Sequence, residues 1–241
     1  MTLTKESWSL VIPLVEVFYS VQGEGVNVGQ PAVFVRFAGC NLDCVFADGS
    51  ICDTPWRKPA FKMTISHLLG RVEALISDKL KVMKGLPWVI LTGGEPTAHP
   101  SFDALVIGLR DCGWKIAVET NGTHYRPGLR YIDHICVSPK NLPGITHARE
   151  CDPEPHPRVL DEAHEFRYVI TSRGEPCPPW IHSNAEHYVS PALISDGRGQ
   201  ESQERHIPDF VTGTVERCIE IVQEDPRWKI SLQCHKWLCI R

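Results

Sequence analysis

The sequence predicts an α/β fold built on a mostly parallel sheet. Short apolar runs rich in β-branched residues recur along the 241 residues, and stretches with helical hydrophobic spacing separate several of them. Strands that alternate with helices pair in parallel through right-handed crossovers. Periodicity alone is compatible with an open sheet or a partial barrel. In either architecture, binding and catalytic groups collect at the carboxyl ends of the strands.

The elements follow from these patterns in chain order. Eight strands are predicted, at residues 14–18, 32–37, 88–92, 115–120, 134–138, 166–170, 187–190 and 229–233. A first helix follows a Thr64 cap, where Ile65, Leu68, Leu69, Val72, Leu75 and Ile76 repeat at helical spacing. A second helix should begin at Ser101 and end near Gly113, and a third should cover residues 209–223 before Pro226.

Two stretches are expected to be irregular surface connections. Residues 141–158 carry four prolines, and residues 195–208 are almost entirely polar. No composition shift marks a boundary, so residues 1–241 are expected to form a single domain.

Composition excludes several classes of protein. The chain has 42% hydrophobic and 22% charged residues, a formal net charge of −4 and no block of like charge, which argues against a broad nucleic-acid-binding face. No apolar run approaches the roughly 18 residues of a membrane helix. The first residues lack a basic region and a cleavage site, so we expect no signal peptide and a cytoplasmic location. The ten cysteines are then expected to be thiols or metal ligands rather than disulfides.

Three cysteines stand close together directly after the strand "AVFVRF". Cys40, Cys44 and Cys52 fall within thirteen residues. One interpretation is a structural zinc site completed by a distant thiol or by His67 or His235. The other is an iron–sulfur cluster held by three thiolates, which leaves one iron open for an exogenous ligand. The three cysteines by themselves do not decide between the two.

Further polar motifs follow other strands. In "ILTGGEP" (90–96), glycines let a ligand approach the backbone closely, and Glu95 can accept from an ammonium group. "VETNGT" (118–123) and "VSPK" (137–140) offer hydroxyl, amide and charged groups. Arg36 lies among apolar residues and therefore needs a partner, either a substrate carboxylate or an internal acid such as Glu16.

Taken together, the motifs resemble a known family. "GCNLDC…CDTPW" with "TGGEPT" is similar to the cluster loop and the cofactor motif of the radical S-adenosylmethionine superfamily. Its usual spacing is Cys-x3-Cys-x2-Cys. The first gap matches, whereas seven residues separate Cys44 from Cys52. Adding "VQGEG", "ETNGT", "VSPK" and "SLQCHKWLCIR", the set resembles the 7-carboxy-7-deazaguanine synthase family over roughly residues 14–140 and the last dozen residues.

This resemblance implies a partial (β/α) barrel of the radical S-adenosylmethionine type. It also implies conversion of 6-carboxy-5,6,7,8-tetrahydropterin to 7-carboxy-7-deazaguanine with loss of ammonia, on the route to queuosine-type bases. The implied cofactors are a [4Fe–4S] cluster, S-adenosylmethionine and Mg²⁺. The implied partners are the pterin, an electron donor such as flavodoxin or ferredoxin, and a second copy in a homodimer, without direct nucleic-acid or membrane contact.

The resemblance carries roles over to individual residues. Cluster ligands are Cys40, Cys44 and Cys52. Residues for S-adenosylmethionine are Ile51, Cys52, Asp53, Gly94, Glu95, Ser138, Pro139 and Lys140. Residues for the pterin are Val21, Gln22, Gly23, Arg36, Thr92 and Arg241. The resemblance makes Thr54 the magnesium ligand, and a single protein oxygen is physically reasonable because Mg²⁺ keeps several waters.

Two alternatives belong to other functional classes. A glycyl-radical activase would share the cluster, but "VQGEG", Arg36 and Thr54 suit a small carboxylated substrate better than a protein loop. A zinc-stapled binding module without catalysis would be colourless, whereas a cluster protein is brown.

Overall fold

A nine-stranded, mostly parallel sheet forms the body of the protein. The computed structural model describes residues 5–52, 54, 56–76, 87–181, 184–194 and 209–240. The strands are β1 (Val11–Val21), β2 (Pro31–Phe37), β3 (Cys44–Phe46), β4 (Phe61–Thr64), β5 (Trp88–Gly93), β6 (Lys115–Thr120), β7 (His134–Val137), β8 (Ile145–His147), β9 (Glu165–Ile170), β10 (Glu186–Pro191) and β11 (Trp228–Ile230). The helices are α1 (Lys5–Trp8), α2 (Ile65–Ala74), α3 (Phe102–Asp111), α4 (Pro157–Glu162), α5 (Thr214–Glu224) and α6 (Cys234–Trp237).

The strand order places the middle of the chain at the centre of the sheet. From edge to edge the order is β11-β10-β9-β7-β6-β5-β2-β1-β4. β1 pairs antiparallel with both β2 and β4, and the remaining pairs are parallel. β3 and β8 form a separate two-stranded antiparallel sheet. The carboxyl ends of β2, β5, β6 and β7 therefore meet at one edge, called the carboxyl edge below.

Helices cover one face of the sheet. α2 begins at the predicted cap, where the Thr64 hydroxyl accepts a hydrogen bond from the His67 backbone N–H. Its apolar stripe and that of α3 are buried against alternate strand residues such as Val33, Val35 and Phe37. α3 is followed by Gly113, whose φ of 81° suits a left-handed helix terminus.

The other face of the sheet has a smaller apolar layer and a polar interior. Phe18, Ala32, Phe34, Ile90 and Ala117 form this layer, and the rings of Phe18 and Phe34 stack with centroids 5.1 Å apart. Because strand side chains alternate, Arg36, Thr92 and Glu119 continue the same face toward the carboxyl edge.

All eight predicted strands and all three predicted helices are present, but two have other bounds. The third helix begins at Thr214 instead of residue 209, after Gly213 with a φ of 81°, and the last strand ends at Ile230 instead of residue 233. The prediction that residues 141–158 are irregular is wrong in two places, since β8 and the first residues of α4 fall there. β8 forms because β3 pairs with it across about a hundred residues, which no local pattern reveals. The connection 195–208 lies outside the described residues, and the single-domain assignment stays a prediction. No helix in the described ranges has the length and apolar character needed to cross a bilayer.

Candidate active site

The long spacer between Cys44 and Cys52 folds into a β-hairpin. Phe46 N–H donates to the Ser50 carbonyl over 2.8 Å, and Val45 bridges Ile51 in antiparallel register. The pairing is a single bridge and does not extend to Cys44 and Cys52. The hairpin still returns the chain toward its start, and Cys52 lies close enough to Cys44 to raise the pKa of its thiol.

The outer edge of the hairpin is held by β8. Cys44 pairs with His147, and the Ala148 N–H donates to the Asp43 carbonyl over 2.9 Å. Arg149 donates to the carbonyls of Cys40 and Leu42. The cluster loop and its hairpin, residues 38–52, are thus anchored to the segment that follows β7.

Cys44 is buried, and Cys40 and Cys52 are half-buried. Burial, together with nearby Glu95, Cys44 and Cys52, raises the pKa of Cys40 to about 12, although the hydrogen bond from the Leu42 N–H opposes the rise. Burial also raises the pKa of Cys44 to about 11, partly offset by the Lys140 ammonium. Among the described residues, no three His, Cys, Asp or Glu side chains lie close enough together to bind a single metal ion. Soft thiolates on one anchored loop are the donor set that iron–sulfur clusters use, and binding iron must displace the thiol protons.

The loop after β5 is pressed against the cluster loop. The Glu95 N–H donates to the Gly39 carbonyl over 2.9 Å, and the Gly94 N–H donates to the Phe37 carbonyl over 3.0 Å. A Cβ on Gly94 would lie only 1.8 Å from the Gly39 carbonyl oxygen. Glycine at position 94 is therefore required by the close approach of the two backbones.

The Glu95 carboxylate is buried and hydrogen-bonded within the protein. Its Oε1 accepts from the Thr97 N–H, the Thr97 hydroxyl and the Thr120 hydroxyl, at 3.0, 2.6 and 2.7 Å. Its Oε2 accepts from the Asn121 N–H at 2.6 Å. The carboxylate therefore joins the β5 and β6 loops, and for a ligand it retains one acceptor position on Oε2.

The turn after β7 supplies a cation to the same edge. Lys140 Nζ donates to the Ser138 carbonyl over 3.0 Å and also to the Ser138 hydroxyl. Pro139 lies between these two residues. Lys140 is close enough to Cys44 to lower the pKa of its thiol, so this turn faces the cluster loop.

An open pocket lies on the polar face of the sheet. It encloses about 660 Å³ of space, part of which is continuous with bulk solvent. Its lining residues are Phe18, Val21, Gln22, Gly23, Glu24, Phe34, Arg36, Thr54, Thr92, Glu119, Gln233, His235 and Lys236. The structure thus brings together the described residues predicted for the pterin and the residue predicted for magnesium.

The pocket contains charges of both signs. Arg36 Nε donates to Glu16 Oε1 over 2.8 Å, so the internal acid considered from the sequence is its partner here. Glu119 accepts from the Thr92 hydroxyl over 2.7 Å and from Gln22 Nε2 over 3.1 Å. Burial raises the pKa of Glu119, but Arg167 and these hydrogen bonds outweigh it and hold the pKa below its ordinary value.

Behind the pocket, Arg167 joins three carboxylates. It contacts Glu24, Glu165 over 2.9 Å and Glu119 over 3.4 Å. Burial raises the pKa of Glu165, but Arg167 and the His134 hydrogen bond bring it down to about 2. This network fixes the wall of the pocket from which Glu119 projects.

A tail segment, residues 231–240, closes another side of the pocket. The Cys234 N–H donates to the Gly23 carbonyl over 3.0 Å, and the Ser231 hydroxyl accepts from the Gly25 N–H over 3.0 Å. A Cβ on Gly23 would lie 2.3 Å from His235 Nδ1, so the two segments pack with no space between them. Gln233, His235 and Lys236 thereby reach the pocket.

Comparisons with known proteins give this site a family. The sequence model of the radical SAM superfamily matches residues 34–146. A protein of Haemophilus influenzae named 7-carboxy-7-deazaguanine synthase is 34% identical, covering 94% of this chain and 93% of its own. A protein of the same name from Neisseria meningitidis is 32% identical, covering 93% and 92%. The crystal structure of QueE from Escherichia coli has the same fold, with a TM-score of 0.59 and 21% identity over 93% of this chain and 95% of its own.

The chain belongs to the 7-carboxy-7-deazaguanine synthase family.

For this synthase-family chain, the predicted family and the partial-barrel fold of the radical S-adenosylmethionine type are confirmed. The individual site roles stay predictions. The structure places the cysteines, Ile51, Gly94, Glu95 and the Ser138–Lys140 turn at the carboxyl edge. It places Val21, Gln22, Gly23, Arg36, Thr92 and Thr54 around the pocket. Asp53 and Arg241 lie outside the described residues.

Several residues in this synthase-family pocket, or in the ion-pair network behind it, were missed by the sequence interpretation. Glu119 lies inside the quoted "VETNGT". The available signal was that residues two apart on a strand share a face, which puts Glu119 on the same face as Ala117. Arg167 interrupts the apolar run "FRYVI" in the same way that Arg36 interrupts its strand, so the same argument applied. Gln233 and Lys236 lie in the tail motif, but nothing in that motif indicates that it packs on Gly23.

Proposed function

We propose that this protein is a radical S-adenosylmethionine lyase that converts 6-carboxy-5,6,7,8-tetrahydropterin to 7-carboxy-7-deazaguanine with loss of ammonia, in the synthesis of queuosine-type 7-deazapurines. One observation carries the proposal. The described residues that the family resemblance assigns to the pterin line a single pocket with Glu119, and that pocket includes Thr54, two residues beyond Cys52. Neither the activase nor the zinc module is favoured by family membership.

The carboxyl edge would hold the cofactors. Cys40, Cys44 and Cys52 would ligate a [4Fe–4S] cluster, and the three-thiolate set leaves one iron for S-adenosylmethionine. The two cofactors supply the one-electron cleavage of a sulfonium, which generates the radical for hydrogen abstraction. Residues that would hold S-adenosylmethionine are Ile51, Cys52, Asp53, Gly94, Glu95, Ser138, Pro139 and Lys140. Lys140 would also neutralise part of the negative charge of the thiolates.

The pocket would bind the pterin through complementary chemistry. The Phe18 and Phe34 rings offer a flat apolar surface to a fused heterocycle. Glu119, kept ionised by Arg167, can accept from heterocycle N–H groups. The pterin carboxylate needs a cation, and Arg36 and Lys236 both line the pocket. Gln22 and Thr92 hold the Glu119 carboxylate in place, and Val21 and Gly23 contribute backbone.

The remaining assignments rest on the family. Thr54 lines the pocket and would give Mg²⁺ one protein oxygen, the others coming from water and substrate. Arg241 would approach the substrate from beyond the tail segment. We also assign an electron donor such as flavodoxin or ferredoxin, a homodimer, and a reducing compartment, the cytoplasm, in which such clusters persist.

A direct experiment tests the activity. Anaerobic reconstitution should give a brown protein with about four irons per chain. With reductant, S-adenosylmethionine and the carboxylated pterin, it should release 7-carboxy-7-deazaguanine and ammonia. Cofactor cleavage without deazaguanine would favour another radical enzyme. A colourless protein with one zinc per chain would favour the binding module.

The substrate pocket can be tested separately with a matched pair. Arg36→Met should raise the KM for the pterin at least about tenfold and leave cluster content and S-adenosylmethionine affinity unchanged. Arg130→Met, which removes a surface arginine 3.8 Å from Glu162, is the control and should change neither. An unchanged KM in Arg36→Met would remove Arg36 from the carboxylate site.

A further inference from the structure

Three side chains at the carboxyl edge form a closed ring of hydrogen bonds. Asn121 Nδ2 donates to Asn41 Oδ1 over 3.0 Å. Asn41 Nδ2 donates to the Thr123 hydroxyl over 2.9 Å, and that hydroxyl donates to Asn121 Oδ1 over 2.8 Å. Each member donates once and accepts once around the ring. Turning either amide over would set two donors against each other, so the ring has one orientation.

The ring joins the loop after β2 to the loop after β6. Asn41 directly follows Cys40, the first cysteine of the cluster loop. Asn121 and Thr123 begin the loop after β6, and Asn121 is 6% exposed. Two further contacts fix the loop: the Thr123 N–H donates to Asn121 Oδ1 over 3.0 Å, and the Asn121 N–H donates to Glu95. The ring therefore connects the β2 and β6 loops at the candidate cofactor site, and the Asn121 backbone N–H links them to the β5 loop.

Each asparagine uses its oxygen and one amide hydrogen in the ring, and the Nδ2 of each keeps a second hydrogen. The Thr123 hydroxyl gives its hydrogen to Asn121, so the His124 Nδ1 contact at 2.8 Å has the histidine as donor. A ligand that contacts one of these second hydrogens leaves the ring closed, and the ring itself fixes the relative position of the two loops. Hydrogen bonds in closed networks strengthen one another, and a network that is complete before binding lowers the entropy cost of ligand binding.

We propose that Asn41, Asn121 and Thr123 are positioning residues for S-adenosylmethionine. Their ring sets the separation between the first cluster cysteine and the β6 loop before the cofactor binds. This inference rests on the cluster and cofactor part of the proposed function, and it makes no use of the pterin.

The test compares S-adenosylmethionine binding in anaerobically reconstituted variants. Thr123→Val keeps the shape of threonine and removes the hydroxyl, and it should raise the Kd about tenfold. Thr123→Ser restores the hydroxyl and should stay within about twofold of the unaltered protein. Asn41→Ala should match Thr123→Val, and the double variant should be no weaker than either single one, because one broken bond already opens the ring. Calorimetric titration measures the Kd, and the electron paramagnetic resonance change on cofactor addition reports the same equilibrium.

A remote threonine provides the control. The Thr214 hydroxyl is buried and donates to the Val211 carbonyl over 2.7 Å, at the start of α5, which packs against β9, β10 and β11. Thr214→Val should lose thermal stability and keep the S-adenosylmethionine affinity. Thr123→Val should show the reverse, with iron content per chain preserved.

Several results would overturn the inference. They are an unchanged Kd in Thr123→Val, equal losses in the serine and valine variants, or additive losses in the double variant, which would indicate separate direct contacts. Loss of iron with normal affinity per cluster would assign the ring to cluster assembly instead. The proposed function fails independently, when unaltered protein binds S-adenosylmethionine and releases no deazaguanine.

Discussion

Replacing Gly94 with alanine should separate the two loops that form the carboxyl edge. The added Cβ would lie 1.8 Å from the Gly39 carbonyl oxygen and 2.5 Å from its carbon, whereas ordinary contact begins at 3.4 Å. The loops must therefore move apart by about 1.6 Å. Both neighbours are backbone, so no side-chain rotation relieves the clash. The hydrogen bond from Glu95 N–H to the Gly39 carbonyl would break as well.

A shift of this size is large for catalysis. Misplacement of reacting groups by about 1 Å can cost about a hundredfold in rate, so kcat/KM should fall at least that far, about 2.7 kcal/mol. The φ of Gly94 lies outside the left-handed region, so the effect is steric and not a backbone preference. Steady-state kinetics with S-adenosylmethionine titrations on reconstituted protein would measure it.

The matched control for this substitution is on a helix. A Cβ added to Gly70 of α2 would meet no neighbouring atom within 4 Å, and alanine there should stabilise the helix by about 0.5–1 kcal/mol with kinetics unchanged. If Gly94→Ala kept the kinetics and cofactor affinity of Gly70→Ala, the close approach of the two loops would have no functional role.

Three further predictions follow from contacts elsewhere. Gly23→Ala should displace His235 with the tail segment and raise the KM for the pterin about tenfold, with unchanged S-adenosylmethionine affinity, by steady-state kinetics. Deleting residues 45–49 restores a two-residue spacer but removes most of β3, so iron per chain after reconstitution should fall below half; full iron content would contradict the hairpin argument. Glu165→Gln should cost about 3 kcal/mol of unfolding free energy above pH 4.5, because the fall of its pKa from 4.5 to about 2 stabilises the folded state there. That difference should close as pH falls from 4.5 to 2 in urea titrations of the cluster-free protein.

The longer elements were predictable because their signals are local. β2 and β6 each contain a short apolar run, Ala32–Val35 and Ile116–Val118, and α2 combines a cap with a 3.6-residue stripe. β3 and β8 have three residues each, and their pairing joins positions 44 and 147. Such short strands form only because tertiary structure aligns them. The prolines around residue 145 correctly indicated an irregular connection, but they gave no sign of the short strand within it.

The candidate site divides in the same way. Motif residues such as Cys40 and Gly94 follow strands directly, and the shared carboxyl edge of a parallel sheet brings them together. Glu119 reaches the pocket, and Arg167 reaches the network behind it, from strand interiors, where only inward or outward alternation reveals them. The curvature that turns this face into a pocket is not encoded in any one strand. The position of the tail segment was the hardest to predict, because it depends on packing against Gly23, which is distant in sequence.

The cysteine hairpin shows why spacing alone is an incomplete description of a cluster motif. A short spacer and a hairpin can both bring two thiols close, one through a tight turn and the other through strand register. Here the register is supported on both edges, because Val45 pairs with Ile51 on one side and with Thr146 on the other. A change in the length of the turn between Phe46 and Ser50 leaves both pairings in place and should therefore be tolerated. A one-residue insertion inside the paired residues 44–46 would instead shift the register and turn the side chains beyond it to the opposite face, even though the number of cysteines stays the same.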